Sequence, residues 1–162
     1  MLNRTVSDAR LSLLPRPGTP TRFLIACVRD GRPTAFALRG TALRLYVEHE
    51  VEVGDGIAHT ASYRYVLQAD YTADSWLVRW EYLRERLPGY AYALGHLHVR
   101  ADVKTQLAAK PLERLHLPTA RVAFELVLRH VIAEWGVDPK TADWSAILEQ
   151  SLSGFEQRRT AP

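Results

Sequence analysis

The sequence predicts an α+β fold, in which one or two C-terminal helices cover the apolar face of a curved antiparallel sheet of about six strands. From residue 22 to about residue 101, apolar residues alternate with polar ones, which is the pattern of strands with one buried face. After residue 118 the apolar residues recur at helical spacing. The chain has 162 residues, 47% of them hydrophobic and 24% charged, which is typical of a single soluble domain spanning 1–162.

The first twenty residues show no periodicity. Turn-forming residues interrupt them at Pro15, Pro17, Gly18 and Pro20. Segment 1–20 is therefore expected to be an extended arm, of the kind that two copies can exchange in a homodimer. The sheet is expected over residues 21–101 and the helices over residues 118–158.

The first four strands are expected to form two consecutive hairpins of a meander. Their predicted ranges are 23–28, 34–38, 43–53 and 57–67. The tight-turn signal Asp30-Gly31 joins the first pair. In the second pair, Val53 opposite Ile57 across a three-residue loop puts both apolar sets on one side of the sheet. The same register sets Arg64 near Tyr46 on the other side.

Two further strands complete the predicted sheet, at 75–83 and 93–101. Their alternation places Arg79 and Glu81 on one face, with His96, His98 and Arg100 on the same face of the neighbouring strand. The first helix is expected to start at Pro118-Thr119 and to end at Gly136. Asp138-Pro139 is a good start for a second helix.

The sequence Gly95-His96-Leu97-His98-Val99-Arg100 carries the strongest chemical signal. Cleavage of a phosphodiester needs a base, an acid and positive charge at the phosphoryl group, which two imidazoles beside arginines can supply. We therefore predict His96 and His98 as acid and base, with Glu81 orienting an imidazole. Phosphate is expected to lie on Arg64, Arg79 and Arg100. This chemistry needs no metal or other cofactor.

Three alternatives concern the same or other histidines. A His-x-His pair on the solvent side of a sheet can be an ordinary part of the surface with no chemical role. With a third ligand, from Glu81, His59 or His116, it can instead form an open three-ligand zinc site. His49 and His59 are expected on the apolar faces, as core histidines with satisfied hydrogen bonds. They could also border a pocket with the aromatic residues Tyr63, Tyr65, Trp76 and Trp80.

Composition and charge exclude several classes of protein. The single cysteine, Cys27, excludes an intrachain disulfide framework. No apolar run reaches the roughly 18 residues that span a bilayer, and the first residues do not resemble a signal peptide, so a cytoplasmic protein without membrane contact is expected. A net charge of +3 is low for a dedicated nucleic-acid binder.

Several motifs occur in a recognisable order. They are Trp80-Glu81-Tyr82, Gly95-His96-Leu97-His98-Val99, Leu117-Pro118 and Trp135-Gly136-Val137. Over roughly residues 63–150 this order resembles small actinobacterial proteins of toxin–antitoxin type, which are encoded beside helix-turn-helix regulators. The resemblance implies a cytosolic toxin with ribonuclease activity and a DNA-binding partner protein. Related families carry more histidines where this chain has Gly89-Tyr90-Ala91-Tyr92-Ala93.

Three hypotheses for the function follow. The first is a toxin-like, metal-independent ribonuclease that acts on RNA through the His-x-His strand. The second is a non-catalytic module that partners a helix-turn-helix regulator or antitoxin through a sheet edge or the acidic row Glu48, Glu50 and Glu52. The third is a small-ligand binder with a pocket between sheet and helix. Whether the protein is an enzyme stays open at this point.

Overall fold

The fold is described from a computed structural model, which covers residues 1–100 and 117–160, with side chains up to Ser153. The described residues divide into two compact units. A sheet unit contains residues 11–36, 43–100 and 117–121, and a helical unit contains residues 1–10, 37–42 and 122–160. The predicted strand end at Ala101 and the candidate ligand His116 lie outside the described residues.

One antiparallel sheet of nine strands dominates the chain. In chain order the strands are β1 (Leu11–Arg16), β2 (Thr19–Arg29), β3 (Arg32–Pro33), β4 (Phe36–Ala37), β5 (Arg44–Gly54), β6 (Ile57–Gln68), β7 (Trp76–Leu83), β8 (Gly95–Val99) and β9 (Leu117–Pro118). The spatial order is β1-β2-β5-β6-β7-β8-β9, with β3 beside β2 and β4 beside β5. The predicted α+β class and antiparallel sheet are confirmed. There are more strands than the predicted six because three segments outside the predicted ranges, β1, β3 and β9, also pair.

The segment predicted as an extended arm contains regular structure. It comprises a short helix, α1 (Leu2–Thr5), and strand β1, in which Leu13 pairs with Ile25 of β2. This strand was not predicted because Pro15 interrupts the segment. A proline is tolerated here because β1 is the edge strand of the sheet, where one side of the backbone needs no partner.

The first predicted hairpin is much shorter than expected. The turn Asp30-Gly31 is present, and both residues have positive φ. The returning strand β3 pairs with β2 at only two positions. The long neighbours of β2 are β1 and β5 instead.

The register of the second hairpin differs from the prediction near its turn. The loop has two residues, Asp55 and Gly56, so Val53 pairs with Ala58 rather than with Ile57. Both loop residues have positive φ, as a tight two-residue hairpin loop requires. Further along, an irregularity in β6 adds a second one-residue shift at Ala61. The two shifts together restore the predicted faces beyond the bulge.

The central strands give the sheet two chemically different faces. On the apolar face, the buried side chains come from β5, β6 and β7 and are Leu45, Val47, Tyr65, Leu67, Val78 and Trp80. The polar face carries, in one row across β5 to β8, Glu48, Arg64, Glu81 and His96. Each strand therefore contributes to both faces by simple alternation.

The helical unit contains α2 (Phe124–Trp135) and α3 (Trp144–Thr160). Four residues of the predicted stripe on α2 are buried: Phe124, Val127, Leu128 and Val131. Gly136 ends α2 in the left-handed conformation, as predicted. Both helices begin later than predicted. Pro118 lies in β9 rather than in a first helical turn, and the Asp138 and Lys140 amides donate to backbone carbonyls of Arg39 and Thr5.

Candidate functional site

Two neighbouring strands bring four predicted site residues onto the polar face. In the antiparallel pairing of β7 with β8, Glu81 lies opposite His96 and Arg79 lies opposite His98. Residues two apart on a strand share a face, so all four side chains project from the same side of the sheet. This is the arrangement that the alternation in the sequence predicted.

The Glu81 carboxylate is the centre of this arrangement. Its Oε2 atom lies 3.3 Å from Nε2 of His96 and 3.3 Å from Nε2 of His98. The other carboxylate oxygen, Oε1, lies 3.3 Å from Nε of Arg79. We call Glu81, His96 and His98 the Glu-His-His cluster. Both imidazoles are buried, with 1% and 3% exposure, whereas a quarter of the Glu81 side chain is accessible.

The orientation of the His96 ring is fixed by the backbone. Nδ1 of His96 lies 2.9 Å from the carbonyl oxygen of Ala93. A carbonyl only accepts hydrogen bonds, so Nδ1 of His96 is the donor here, and Nε2 is the nitrogen that faces Glu81. The two imidazole rings lie 5.1 Å apart at 73° to each other.

Tyr90 borders the cluster and is a residue that the sequence analysis did not select. Its hydroxyl lies 3.4 Å from Nε2 of His96. Burial, and after it the negative charge of Glu81, raises the pKa of Tyr90, so this phenol stays protonated at neutral pH. The only signal in the sequence was the Tyr90-x-Tyr92 pair before the histidine strand, which had been noted as a departure from related families.

Arg64 lies next to the cluster but is held by a different carboxylate. It pairs across the strands with Glu81, and its guanidinium binds Glu48 at 2.5 Å and 3.2 Å. Burial lowers the pKa of Arg64, but the hydrogen bond and the charge of Glu48 outweigh this and raise it. Arg64 therefore presents a permanent positive charge on the polar face.

Arg100, another predicted site residue, contacts residues outside the Glu-His-His cluster. Its guanidinium donates to the carbonyl of Asp74 and lies 6.0 Å from the centre of the Trp76 ring. Arg79 also lies over Trp76, at 5.3 Å, while it pairs with Glu81. Of the predicted arginines, Arg79 thus contacts the cluster directly.

A groove of about 350 Å³ opens on the polar face beside the cluster. Its polar lining includes Arg16, Glu48, Glu50, Arg64, Glu81 and Tyr90. We call it the central groove. Because Glu81 and Tyr90 each contact His96, a molecule in this groove would reach the accessible edge of the cluster.

The Glu-His-His cluster has the donor set and spacing of a metal site. One ligand atom from each residue lies within 4.8 Å of the other two. Ligands that bind zinc tetrahedrally at 2.0–2.1 Å lie about 3.3 Å apart, which is the distance between Glu81 Oε2 and each Nε2. Two imidazoles and a carboxylate are ligands that zinc and similar transition metals prefer. Of the third ligands considered, Glu81 reaches both histidines, whereas His59 does not and His116 lies outside the described residues.

The remaining histidines lie elsewhere. His49 makes two hydrogen bonds on the apolar face, one through each ring nitrogen, which fits the predicted core histidine. His59 is exposed and pairs with Glu52, so its predicted core position is wrong; the two-residue turn shifts it to the other face. His130 is exposed on α2, where its Nε2 accepts a hydrogen bond from Trp135.

The acidic row on β5 is matched by arginines. Glu48 pairs with Arg64, Glu50 with Arg16, and Glu52 with two arginines, Arg22 and Arg84. Since β5 lies inside the sheet, this row is not a free edge. Its charges are therefore largely compensated within the chain.

No protein-family model, curated protein or solved structure matches this chain. The resemblance of residues 63–150 to toxin–antitoxin proteins therefore stays a prediction. Among the described residues, no helix is long and apolar enough to cross a membrane.

Proposed function

We propose that the Glu-His-His cluster binds a divalent transition metal ion, and that this centre hydrolyses phosphodiester bonds in RNA. The observation that carries the proposal is the pair of 3.3 Å distances from Glu81 Oε2 to Nε2 of His96 and of His98. The sequence had favoured a metal-independent ribonuclease, with a metal site as the alternative. Burial and ring orientation favour the metal.

The histidines suit ligation better than direct acid–base contact with a large substrate. At 1% and 3% exposure, neither imidazole can meet a phosphodiester without rearrangement. The hydrogen bond from Nδ1 of His96 to the Ala93 carbonyl is the kind of contact that orients a metal-binding imidazole and increases its basicity. A metal held by three protein ligands keeps a position for water, whose pKa it lowers to about 7.

The chain's own side chains would hold the phosphate. Arg64 and Arg79 flank Glu81 on the polar face, and arginine is the basic side chain best suited to phosphate. Planar guanidinium groups bind two phosphate oxygens at once and favour the additional charge of the transition state. The protonated Tyr90 hydroxyl, which lines the central groove, is placed to donate a hydrogen bond to the substrate.

RNA is the substrate class we propose because two arguments agree on it. Eighteen of the 21 basic residues are arginines, which suits phosphate recognition. The resemblance of residues 63–150 to toxin–antitoxin proteins implies a ribonuclease toxin with a helix-turn-helix partner. Expression of such a toxin should arrest the growth of a bacterial host.

Cobalt(II) absorption tests the metal site without any substrate. Titration of the EDTA-treated full-length protein should give the visible spectrum of cobalt bound by nitrogen and oxygen ligands at one equivalent. Glu81→Gln and His98→Ala should lose this spectrum, and His130→Ala, which removes an exposed histidine on α2, should keep it. An unchanged spectrum in both cluster variants would overturn the metal site.

RNA cleavage tests the reaction. A labelled single-stranded RNA should be cleaved by the zinc- or manganese-loaded protein, and cleavage should stop with EDTA and return on adding metal. The second candidate is the metal-independent ribonuclease, which is favoured by the 3.3 Å separation of Glu81 Oε2 from Nε2 of both imidazoles. It predicts cleavage that survives EDTA but is lost in His98→Ala. If neither cleavage nor growth arrest occurs, the interaction module becomes the better hypothesis.

A further inference from the structure

A second groove on the polar face has an aromatic lining. Its volume is also about 350 Å³, within the range of small-molecule sites. The groove is bordered by Tyr46, Gln68, Tyr71 and Trp76, and by Arg64 and Arg79. We call it the aromatic groove. It belongs to the sheet unit alone, and the Glu-His-His cluster accounts for none of its aromatic residues.

Guanidinium groups lie over the three rings of this groove. Arg44 lies 4.2 Å from the centre of the Tyr71 ring and Arg64 lies 5.9 Å from that of Tyr46. Arg79 lies 5.3 Å from the Trp76 ring centre, as described above. Aromatic faces beside arginines are the combination that binds single-stranded nucleic acids, because bases stack on the rings and phosphates bind the cations.

A buried amide in the same groove has an unused acceptor. Gln68 is only 6% exposed, and its Nε2 donates to the carbonyl of Thr72 at 3.3 Å. Its Oε1 atom has no hydrogen-bond partner among the described residues. Buried polar atoms are normally paired, so an acceptor without a partner among the described residues suits a hydrogen-bond donor on a molecule bound in the groove. The amino and imino groups of nucleobases are donors of this kind.

The two grooves share a cationic residue. Arg64 lines both of them, and Arg79 links the aromatic groove to the Glu-His-His cluster through Glu81. A nucleotide whose base lies in the aromatic groove would therefore have its phosphate at Arg64 and Arg79, next to Glu81. Neither an aliphatic ligand nor a free phosphate would use both the rings and the Gln68 acceptor.

We infer that the aromatic groove is a nucleobase-binding subsite, which holds the base of the nucleotide whose phosphate lies on Arg64 and Arg79. The inference rests on the proposed function for the identity of the substrate, and it assigns a role to residues that the metal centre does not use. Tyr71 and Trp76 supply stacking surfaces, and Gln68 supplies the hydrogen bond that prefers one base over another. The protein should therefore bind single nucleotides, and it should cleave RNA with a preference for the base at this position.

Calorimetric titration of the full-length protein in EDTA tests the subsite without metal and without cleavage. The probes are the four nucleoside 5′-monophosphates, with ribose 5-phosphate as the baseless comparison. At least one nucleotide should bind about fivefold more tightly than ribose 5-phosphate, which is the lower end of what base stacking contributes. Tyr71→Ala should remove this advantage and Tyr71→Phe should retain it. Gln68→Leu should reduce the differences among the four nucleotides.

Ile57→Ala is the matched control. Ile57 is 53% exposed and Tyr71 is 56% exposed, but Ile57 lies at the β5–β6 turn and does not line the aromatic groove. It should bind nucleotides as the unaltered protein does. Equal affinity for ribose 5-phosphate and all four nucleotides would overturn the subsite, and so would unchanged nucleotide binding in Tyr71→Ala. Metal-dependent RNA cleavage would still support the proposed function in that case. Nucleotide binding without RNA cleavage would support the subsite and overturn the ribonuclease.

Discussion

Histidines on opposite faces of the same sheet have different environments. On the apolar face, His49 is bound by two hydroxyl groups: its Nε2 lies 2.9 Å from Thr60 Oγ1 and its Nδ1 lies 2.9 Å from the Tyr65 hydroxyl. On the polar face, His96 and His98 both turn Nε2 toward one carboxylate. His96 and His98 are buried and His49 is half-buried.

The groups that contact each histidine, rather than its burial, determine whether it can take part in metal ligation or proton transfer. Burial, with a smaller contribution from the charge of Arg121, lowers the pKa of His49 to about 4, so this ring is neutral at physiological pH and only holds two strands together. His96 and His98 share the carboxylate of Glu81, which is partly accessible and which can take part in ligation or proton transfer. A buried histidine is therefore a functional candidate only when its partner is ionisable and reachable.

The largest expected effect is on the rate of RNA cleavage, which a substitution on the polar face should reduce far more than one on the apolar face. Glu81→Gln removes the anionic ligand, and it should reduce metal-dependent RNA cleavage at least about 100-fold, since even outer-shell changes at metal sites cost 10–100-fold. His49→Gln, on the apolar face, should leave the rate within about threefold while lowering stability. Initial rates at matched concentrations of folded protein measure both. An equal loss of rate in the two variants would remove the distinction between the faces.

The second prediction concerns the dependence of stability on pH. An unfolded histidine has a pKa of about 6.5, whereas that of His49 in the folded protein is about 4. Between these values the unfolded chain binds a proton that folded His49 does not, so stability should decrease as the pH falls through this window. The 2.5-unit difference between 6.5 and 4 corresponds to roughly 3–4 kcal/mol as an upper limit.

Denaturant unfolding in EDTA at pH 7.0, 5.5 and 4.5 measures this decrease. His49→Gln cannot take up the proton and should have a smaller slope between pH 6.5 and 4, whereas the exposed control His130→Gln should keep the slope of the unaltered protein. If His49→Gln retains the full slope, other groups are responsible for the acid sensitivity.

The third prediction concerns Gly95, the residue before His96 in β8. A Cβ atom on Gly95 would lie 2.9 Å from the carbonyl oxygen of Thr119 and 3.1 Å from that of Ala120, which is too close for backbone atoms to accommodate. Gly95→Ala should therefore destabilise the protein by roughly 1–3 kcal/mol. It should also weaken cobalt binding, because His96 is the next residue. At Gly54 nothing lies within 4 Å of an added Cβ, so Gly54→Ala is the control and should change neither property.

The sequence alone predicted which side chains of β7 and β8 share the polar face, because this depends only on alternation within each strand. Period-two alternation fixed the faces of β7 and β8, and adjacency in the chain made them neighbours, which placed Glu81 beside His96 and His98. Alternation could not reveal the irregularity at Ala61 in β6, since an extra residue leaves no mark in composition. This shift and the one at the two-residue turn together place Glu48 rather than Tyr46 directly opposite Arg64, although the Arg64 guanidinium still lies 5.9 Å from the centre of the Tyr46 ring.

Other features depended on contacts between distant parts of the chain. The pairing of Leu117 with Leu97 makes β9 from a segment that looks like the start of a helix. The contact of Tyr90 with His96 depends on how the preceding loop returns to the sheet. Whether the two histidines favour acid–base catalysis or metal ligation depends on their burial and on the direction in which Nε2 points. The spacing of residues in the sequence gives neither property.

The smallest expected effect distinguishes two ion pairs within the polar face. Arg22 pairs with Glu52 at 3.5 Å, with more than a third of each side chain exposed, and exposed pairs contribute less than about 1 kcal/mol. Arg22→Gln should therefore change the free energy of unfolding by no more than that and should leave nucleotide binding intact. Arg64→Gln removes an ion pair of comparable exposure and should cost as little stability, yet it should weaken nucleotide binding because Arg64 lines both grooves. Equal nucleotide affinity in the two variants would mean that Arg64, like Arg22, serves only to balance the acidic row of β5.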